Sequence, residues 1–190
     1  MQLVDLYRRS LAGFNDRVRA VAPDQWSAPT PCADWDVRAL VNHITNEDRW
    51  TAPLFGGATI AEVGDRFDGD LLGDDPVGSV ADAAAEAEAA VAEPGAIDRI
   101  VHLSFGDTPA EEYVRQLLAD HLVHGWDLAA ATGGDTRLDP DVMSAVAEWF
   151  ADREDLYRTS GAIGPRVDTD SDDPQDRLIA AFGRDPAWRP

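Results

Sequence analysis

One short segment of the sequence brings together residues that commonly bind metal ions. Asp120, His121 and His124 lie within DHLVHGWDL, residues 120–128, in a stretch whose pattern predicts a helix. Residues four apart on a helix share a face, with Cβ atoms about 5–6 Å apart, so Asp120 and His124 could reach one ion. An inward carboxylate is costly to bury unless it is paired or metal-bound. The spacing indicates a metal site, with His121 as the alternative partner of His124.

A further histidine lies on another predicted helix. His43 follows the apolar stripe that contains Leu40 and Val41, so it should point at least partly inward. Taken alone, it is more readily interpreted as an imidazole at the edge of the core that donates a hydrogen bond to a carbonyl. Two imidazoles and a carboxylate with an open coordination position are typical of catalytic zinc sites, and similar donors accept nickel, cobalt or iron. We assign no role to His102, which lies outside the predicted helices.

The elements that would carry these residues are mainly helices. Apolar periodicity and capping signals predict helices over about 3–22, 36–53, 80–93 and 109–132, and another that begins at 139–140. Thr108 and Glu111 are expected to form a capping box around the start of the fourth helix. Near-alternation over 97–105 favours a short extended segment. We expect an all-α bundle over residues 1–160 with long crossover connections, and a short irregular tail over 161–190 that packs on it.

Composition restricts the possible partners. The 190 residues suit one domain, and 44% apolar residues with six Trp indicate a packed core. A formal charge of -20 argues against nucleic acid or an anionic membrane as a partner. The N-terminal segment lacks the order of a signal peptide, and the single Cys32 fits a reducing compartment. We therefore expect a soluble, cytoplasmic protein that acts on small molecules.

Two segments carry a family resemblance. TPCADWDVRALVNHI (30–44) and ADHLVHGWDLAAATG (119–133) resemble the signature regions of the DinB-like metalloproteins, in the actinobacterial branch that is similar to mycothiol-dependent maleylpyruvate isomerase. The tail PQDRLIAAFGRDPAW (174–188) is similar to the ending of one subgroup of that branch. The resemblance covers nearly the whole chain.

The resemblance implies a four-helix bundle that holds one divalent metal ion, usually zinc, with nickel as an alternative. The implied ligands are His43, Asp120 and His124. Asp120 departs from the isomerase, which has Glu there, and its side chain is one methylene shorter. His121 therefore stays in reserve as the third ligand.

The resemblance also implies a chemistry. The metal would activate the thiolate of a small-molecule thiol such as mycothiol, which would attack an electrophilic substrate in a transferase or isomerase reaction. A metal-dependent hydrolase is one alternative. A non-catalytic metal-binding bundle, active in a stress response or in partner binding, is another. A homodimer is possible, and the substrate of the isomerase cannot be transferred to this chain.

Three more residues near these motifs have structural interpretations. Glu47, one turn after His43, is expected to be a solvated surface carboxylate rather than a proton acceptor. Cys32 is expected to be a packing residue of the Pro-rich turn rather than a redox centre. Asp127 is expected to help lock its helix to its neighbours, with a bond to the Pro-rich turn as one way of doing so.

Overall fold

The computed structural model describes residues 2–190, and this part of the chain folds around a four-helix bundle. α1 packs against α4 and α5, and α2 packs against the same two helices, which closes the bundle. The predicted all-α fold class is confirmed. The elements are α1 (Leu3–Arg19), α2 (Val37–Phe55), α3 (Ile60–Val63), α4 (Pro76–Ala92), β1 (Ile100–Leu103), β2 (Gly106–Pro109), α5 (Ala110–Thr132), α6 (Pro140–Ala151), α7 (Glu154–Thr159) and α8 (Pro174–Ala181).

α2 forms because its cap and its apolar stripe agree. The carboxylate of Asp36 accepts a hydrogen bond from the backbone N–H of Ala39, which satisfies one of the free donors of the first turn. Leu40 and Ile44 are fully buried on the inner face. The prediction ended the helix at Pro53, but the helix continues to Phe55. The burial of Leu54 and Phe55 outweighs the one hydrogen bond that the proline cannot donate.

α5 is the central helix, and its start differs from the prediction. Thr108 lies on β2 opposite Val101 and its hydroxyl donates to the carbonyl of Gly106, so it is not available as a helix cap. Glu111 instead accepts a hydrogen bond from Arg115. The predicted capping box is therefore wrong, because strand pairing holds Thr108. The extended segment around β1 is confirmed, although the pattern did not reveal its antiparallel partner β2.

The chain after α6 packs back against α6. α8 lies against α6, and Ile179 is fully buried. Phe182 stacks on Phe150 of α6 with ring centroids 4.1 Å apart. This packing carries the segments 161–164 and 182–184 to the pocket described below. Within residues 2–190, no helix combines the length and the apolarity that a membrane crossing requires.

Candidate metal centre

His43, Asp120 and His124 line one pocket with a volume of about 730 Å³. His43 comes from α2, whereas the other two come from α5. Nε2 of His43 lies 3.9 Å from Oδ2 of Asp120, and the two imidazole rings are 5.2 Å apart between centroids. The structure thus brings His43 close to two residues that lie about eighty positions later in the sequence.

A Pro-rich turn supplies the wall behind the two imidazoles. The hydroxyl of Thr30 donates to the carbonyl of Trp35 over 2.8 Å, and the backbone N–H of Trp35 donates to the carbonyl of Cys32 over 2.8 Å. The indole of Trp35 then packs 4.7 Å from the ring of His43 and 5.6 Å from that of His124. This contact restricts how far either imidazole can turn.

His43 and Asp120 differ in exposure, with 28% and 43% of their side chains exposed. Asp120 is the more exposed because the pocket opens to solvent beside it. Its carboxylate therefore has less need of a partner than the sequence pattern suggested. Burial lowers the pKa of His43 to about 4, and the nearby carboxylate of Asp120 offsets only part of that effect. His43 is therefore uncharged at neutral pH and keeps a lone pair for a ligand.

Behind His124 lies a second group of interacting side chains. Nδ1 of His124 is 3.0 Å from Oδ2 of Asp127, which is fully buried. The thiol of Cys32 donates to the same carboxylate over 3.3 Å. This contact is the bond between Asp127 and the Pro-rich turn that the sequence led us to expect. Arg184, from the tail, donates to Asp127 over 3.0 Å and to the sulfur of Cys32 over 3.2 Å.

The charges in this group are well defined. Burial raises the pKa of Cys32 to about 12, and Asp127 adds to the effect, so the sulfur is a protonated thiol. Burial alone would raise the pKa of Asp127, but its bond to His124 and the charge of Arg184 lower it overall. The group is therefore a buried carboxylate paired with a guanidinium, and the thiol of Cys32 is a further donor to that carboxylate.

Cys32, His124 and Asp127 could themselves hold a metal ion. Within residues 2–190, these are the three metal-binding side chains whose donor atoms, one from each residue, all lie within 4.8 Å of one another. Nη2 of Arg184 already lies within 3.2 Å of two of these donors. An ion in this position would be repelled by the positive charge of that guanidinium.

His121 lies away from the pocket. Its Nδ1 is 2.6 Å from the carbonyl of Leu117 and its Nε2 is 3.0 Å from Oδ1 of Asp48. Both side chains are fully buried, and the rings of Tyr7 and Phe14 meet the imidazole edge-on. Of the two candidates for the third ligand, the structure places Asp120 at the pocket and His121 in the core.

Sequence reasoning missed two partners of this region. Asp48 continues the stripe of Val41 and Ile44 at helical spacing, and a carboxylate on that inner face was a signal of a buried partner. No comparable signal pointed to Arg184, because only the folding of the tail over the bundle brings it to α5.

His102, to which no role was assigned, lies on the hairpin. Its Nδ1 is 2.7 Å from Oδ1 of Asp107.

Glu47 is not the solvated carboxylate that was expected. It is half-buried, and burial raises its pKa to about 7, with further contributions from the charges of Asp120 and Asp48. It lines a smaller cavity next to the pocket.

Comparison with known proteins places the chain in a family. The family model described as the mycothiol maleylpyruvate isomerase N-terminal domain matches residues 7–129, a range that includes His43, Asp120 and His124. Two uncharacterised proteins of Mycobacterium tuberculosis, from strains CDC 1551 / Oshkosh and H37Rv, are each 34% identical over 141 residues, or 72% of this chain and 70% of the relative. No solved structure matches. The chain therefore belongs to the family of mycothiol maleylpyruvate isomerase N-terminal domains.

Proposed function

We propose that this protein is a metal-dependent thiol S-transferase or isomerase, in which His43, Asp120 and His124 hold one divalent ion. The observation that carries the proposal is their convergence, from two helices, on a pocket that opens to solvent. A His/His/carboxylate set leaves a coordination position for a ligand, as catalytic metal sites do.

One pair of donors is near coordination spacing, whereas the donors of all three residues do not lie within 4.8 Å of one another, so the side chains must close around an ion. Bonds of about 2.0–2.2 Å in a tetrahedral site place neighbouring donors roughly 3.3–3.6 Å apart. The 3.9 Å between Nε2 of His43 and Oδ2 of Asp120 is close to that range, and the exposed carboxylate has room to move the remaining distance. Two imidazoles and one carboxylate suit zinc, and they also accept nickel.

The orientation of His124 supports it further. With a proton on Nδ1, which faces Asp127 at 3.0 Å, the lone pair of His124 lies on Nε2. A carboxylate behind a metal-binding imidazole fixes its tautomer and raises its basicity. We assign that positioning role to Asp127, with Arg184 holding the carboxylate in place.

The reaction needs a sulfur nucleophile from outside the protein. Cys32 is protonated and bonded to Asp127, so it offers no thiolate. A divalent ion at the site would favour the thiolate of a small-molecule thiol such as mycothiol. In transfer, the thiol releases its proton to solvent in the open pocket, its sulfur bonds to an electrophilic carbon, and the electron pair of the bond broken at that carbon leaves with the displaced group.

The pocket is large enough for such a reaction. Its volume of about 730 Å³ lies within the roughly 300–1,000 Å³ of small-molecule sites. Residues 161–164 and 182–184 of the tail form part of its rim without sealing it. This accessibility favours catalysis over a purely structural metal site.

The test is turnover of mycothiol with 1-chloro-2,4-dinitrobenzene by zinc-loaded protein, by chelator-treated protein and by protein reloaded with zinc. We expect conjugation that is lost with the metal and restored by it. Hydrolysis of 4-nitrophenyl acetate is measured without thiol in parallel. Zinc-loaded protein that hydrolyses the ester but does not accelerate conjugation would contradict the proposal and favour a hydrolase.

A further inference from the structure

A second, smaller cavity adjoins the metal-centre pocket. It has a volume of about 270 Å³ and shares Phe105 and Gln116 with the larger pocket. Its remaining walls come from α2, α3, the hairpin and α5, and we call it the side cavity. Its other lining residues are Asn46, Glu47, Trp50, Leu54, Ile60, Leu103, Ser104 and Tyr113.

The side cavity continues the two helix faces that carry the proposed ligands. On α2, Glu47 follows His43 by one turn, a step of about 5–6 Å between Cβ atoms. On α5, Gln116 precedes Asp120 by one turn. The helices run antiparallel here, since the ring of Phe55 near the end of α2 meets Tyr113 near the start of α5. A ligand can therefore lie along both helices and extend from one cavity into the other.

The walls of the side cavity combine apolar and polar side chains. Six of its ten lining residues are apolar or aromatic, and Trp50, Leu54 and Ile60 come from α2 and α3. About 150 Å³ is enough for an apolar cavity to hold benzene, so the available volume suits one substituted ring. Burial of such a ring is favourable in proportion to the apolar area removed from water.

Charge distinguishes the side cavity from an anion site. Glu47 is its one carboxylate, Asp120 lies close enough to affect the ionisation of Glu47, and none of the lining residues, all within the described chain, is Arg. An anionic ligand in the side cavity would meet the carboxylate of Glu47 with no cationic lining residue beside it. Arg184, at the far wall of the larger pocket, is already bonded to Asp127.

The tip of the hairpin supplies a further sign of a ligand. Phe105 lies in the turn between β1 and β2 and is 72% exposed, yet it lines both cavities. A large aromatic side chain held in water at the junction of two cavities gains contact area when a ring enters beside it.

We propose that the side cavity binds an uncharged, ring-sized apolar group of the electrophilic substrate, next to the thiol at the metal centre. That the ligand is the substrate of a thiol transfer rests on the proposed function. The binding preference itself is a property of the cavity and needs no metal. The part of the electrophile that enters the side cavity is thus a neutral aromatic or similarly bulky group rather than a carboxylate.

The test compares two nitroaromatic probes of nearly equal size in metal-free protein at pH 8.5, where Glu47, whose pKa is raised to about 7 by burial, is ionised. Quenching of tryptophan fluorescence is titrated with 4-nitrobenzyl alcohol, which is neutral, and with 4-nitrobenzoate, which is anionic. We expect the alcohol to bind at least tenfold more tightly. Trp50→Phe should remove a large part of the quenching amplitude, and Phe105→Ala, at an exposed site, should weaken binding of the alcohol several-fold.

A matched pair of variants tests the role of charge. Glu47→Gln should reduce the preference for the alcohol at least threefold, whereas Glu148→Gln, an identical change at an exposed residue of α6, should leave it unchanged. Equal binding of the two probes, or quenching that is insensitive to both Trp50→Phe and Phe105→Ala, would overturn the proposal. Failure to bind zinc would instead count against the proposed function and leave this titration interpretable.

Discussion

The carboxylate of Asp127 lies 3.0 Å from Nδ1 of His124, three residues earlier on the same helix. Asp127 is also bonded to Arg184, which lies 57 residues further along the chain. The tail of the protein is thereby linked to a proposed metal ligand through one buried carboxylate. The orientation of His124 depends on this contact and not on α5 alone.

Replacement of the carboxylate behind His124 should weaken metal binding without removing a ligand. We expect Asp127→Asn to lower zinc affinity about 10–100-fold, the range typical of partners that orient a metal-bound imidazole. The measurement is zinc competition against a chromophoric chelator. Asp82→Asn, on the exposed side of α4, is the control and should bind like the wild type. Unchanged affinity in Asp127→Asn would refute the positioning role.

The pair formed by His121 and Asp48 should contribute to stability and not to metal binding. Removal of one partner of a buried, bonded pair typically costs about 3–5 kcal/mol, so His121→Ala should lower the urea midpoint strongly. If the variant unfolds, the milder His121→Gln is used. Either folded variant should keep one zinc per chain, and loss of zinc would show that His121, rather than Asp120, is the third ligand.

Cys32 should react slowly in the folded protein. Because its pKa is raised to about 12, its thiolate fraction at pH 8 is lower by about three orders of magnitude than that of a free cysteine with a pKa near 8.5. Alkylation by iodoacetamide, followed by mass spectrometry, should be at least a hundredfold slower than in urea-unfolded protein. Cys32→Ser should retain thiol conjugation, and its loss would indicate a protein nucleophile.

Glu47 should make the metal-free protein less stable as the pH rises. Burial raises its folded pKa to about 7, above the unfolded value near 4.3. Between these values the unfolded chain releases the proton while the folded protein retains it, so stability falls as pH rises through this window. Glu47→Gln should flatten that decline in denaturant titrations at pH 5, 6, 7 and 8. A wild type and variant with parallel pH profiles would contradict the assignment.

The bundle was predictable because local signals agreed with tertiary packing. The capping residue Asp36 and the apolar stripe of α2 indicated that helix. The spacing of Asp120 and His124 predicted a shared helix face, and both side chains line one pocket, while the metal ion between them stays a prediction. The joining of His43 to them required a family resemblance, since helical spacing carries no information about which helices become neighbours.

Other features depend on contacts that no local pattern encodes. Thr108 looked like a helix cap, but pairing with Val101 placed it in a strand. Arg184 reaches Asp127 only because Phe182 stacks on Phe150 and fixes the path of the tail. Long-range packing, rather than local propensity, decides each of these positions.

The central claim is that His43, Asp120 and His124 bind one divalent ion. The most direct measurement is the zinc content of zinc-equilibrated, desalted protein, by elemental analysis, for the wild type and three histidine variants. We predict one zinc per chain in the wild type and in His102→Ala, whose imidazole lies on the hairpin, and a large loss in His43→Ala and His124→Ala. A wild type without zinc, or full retention of zinc in His43→Ala, would contradict the account.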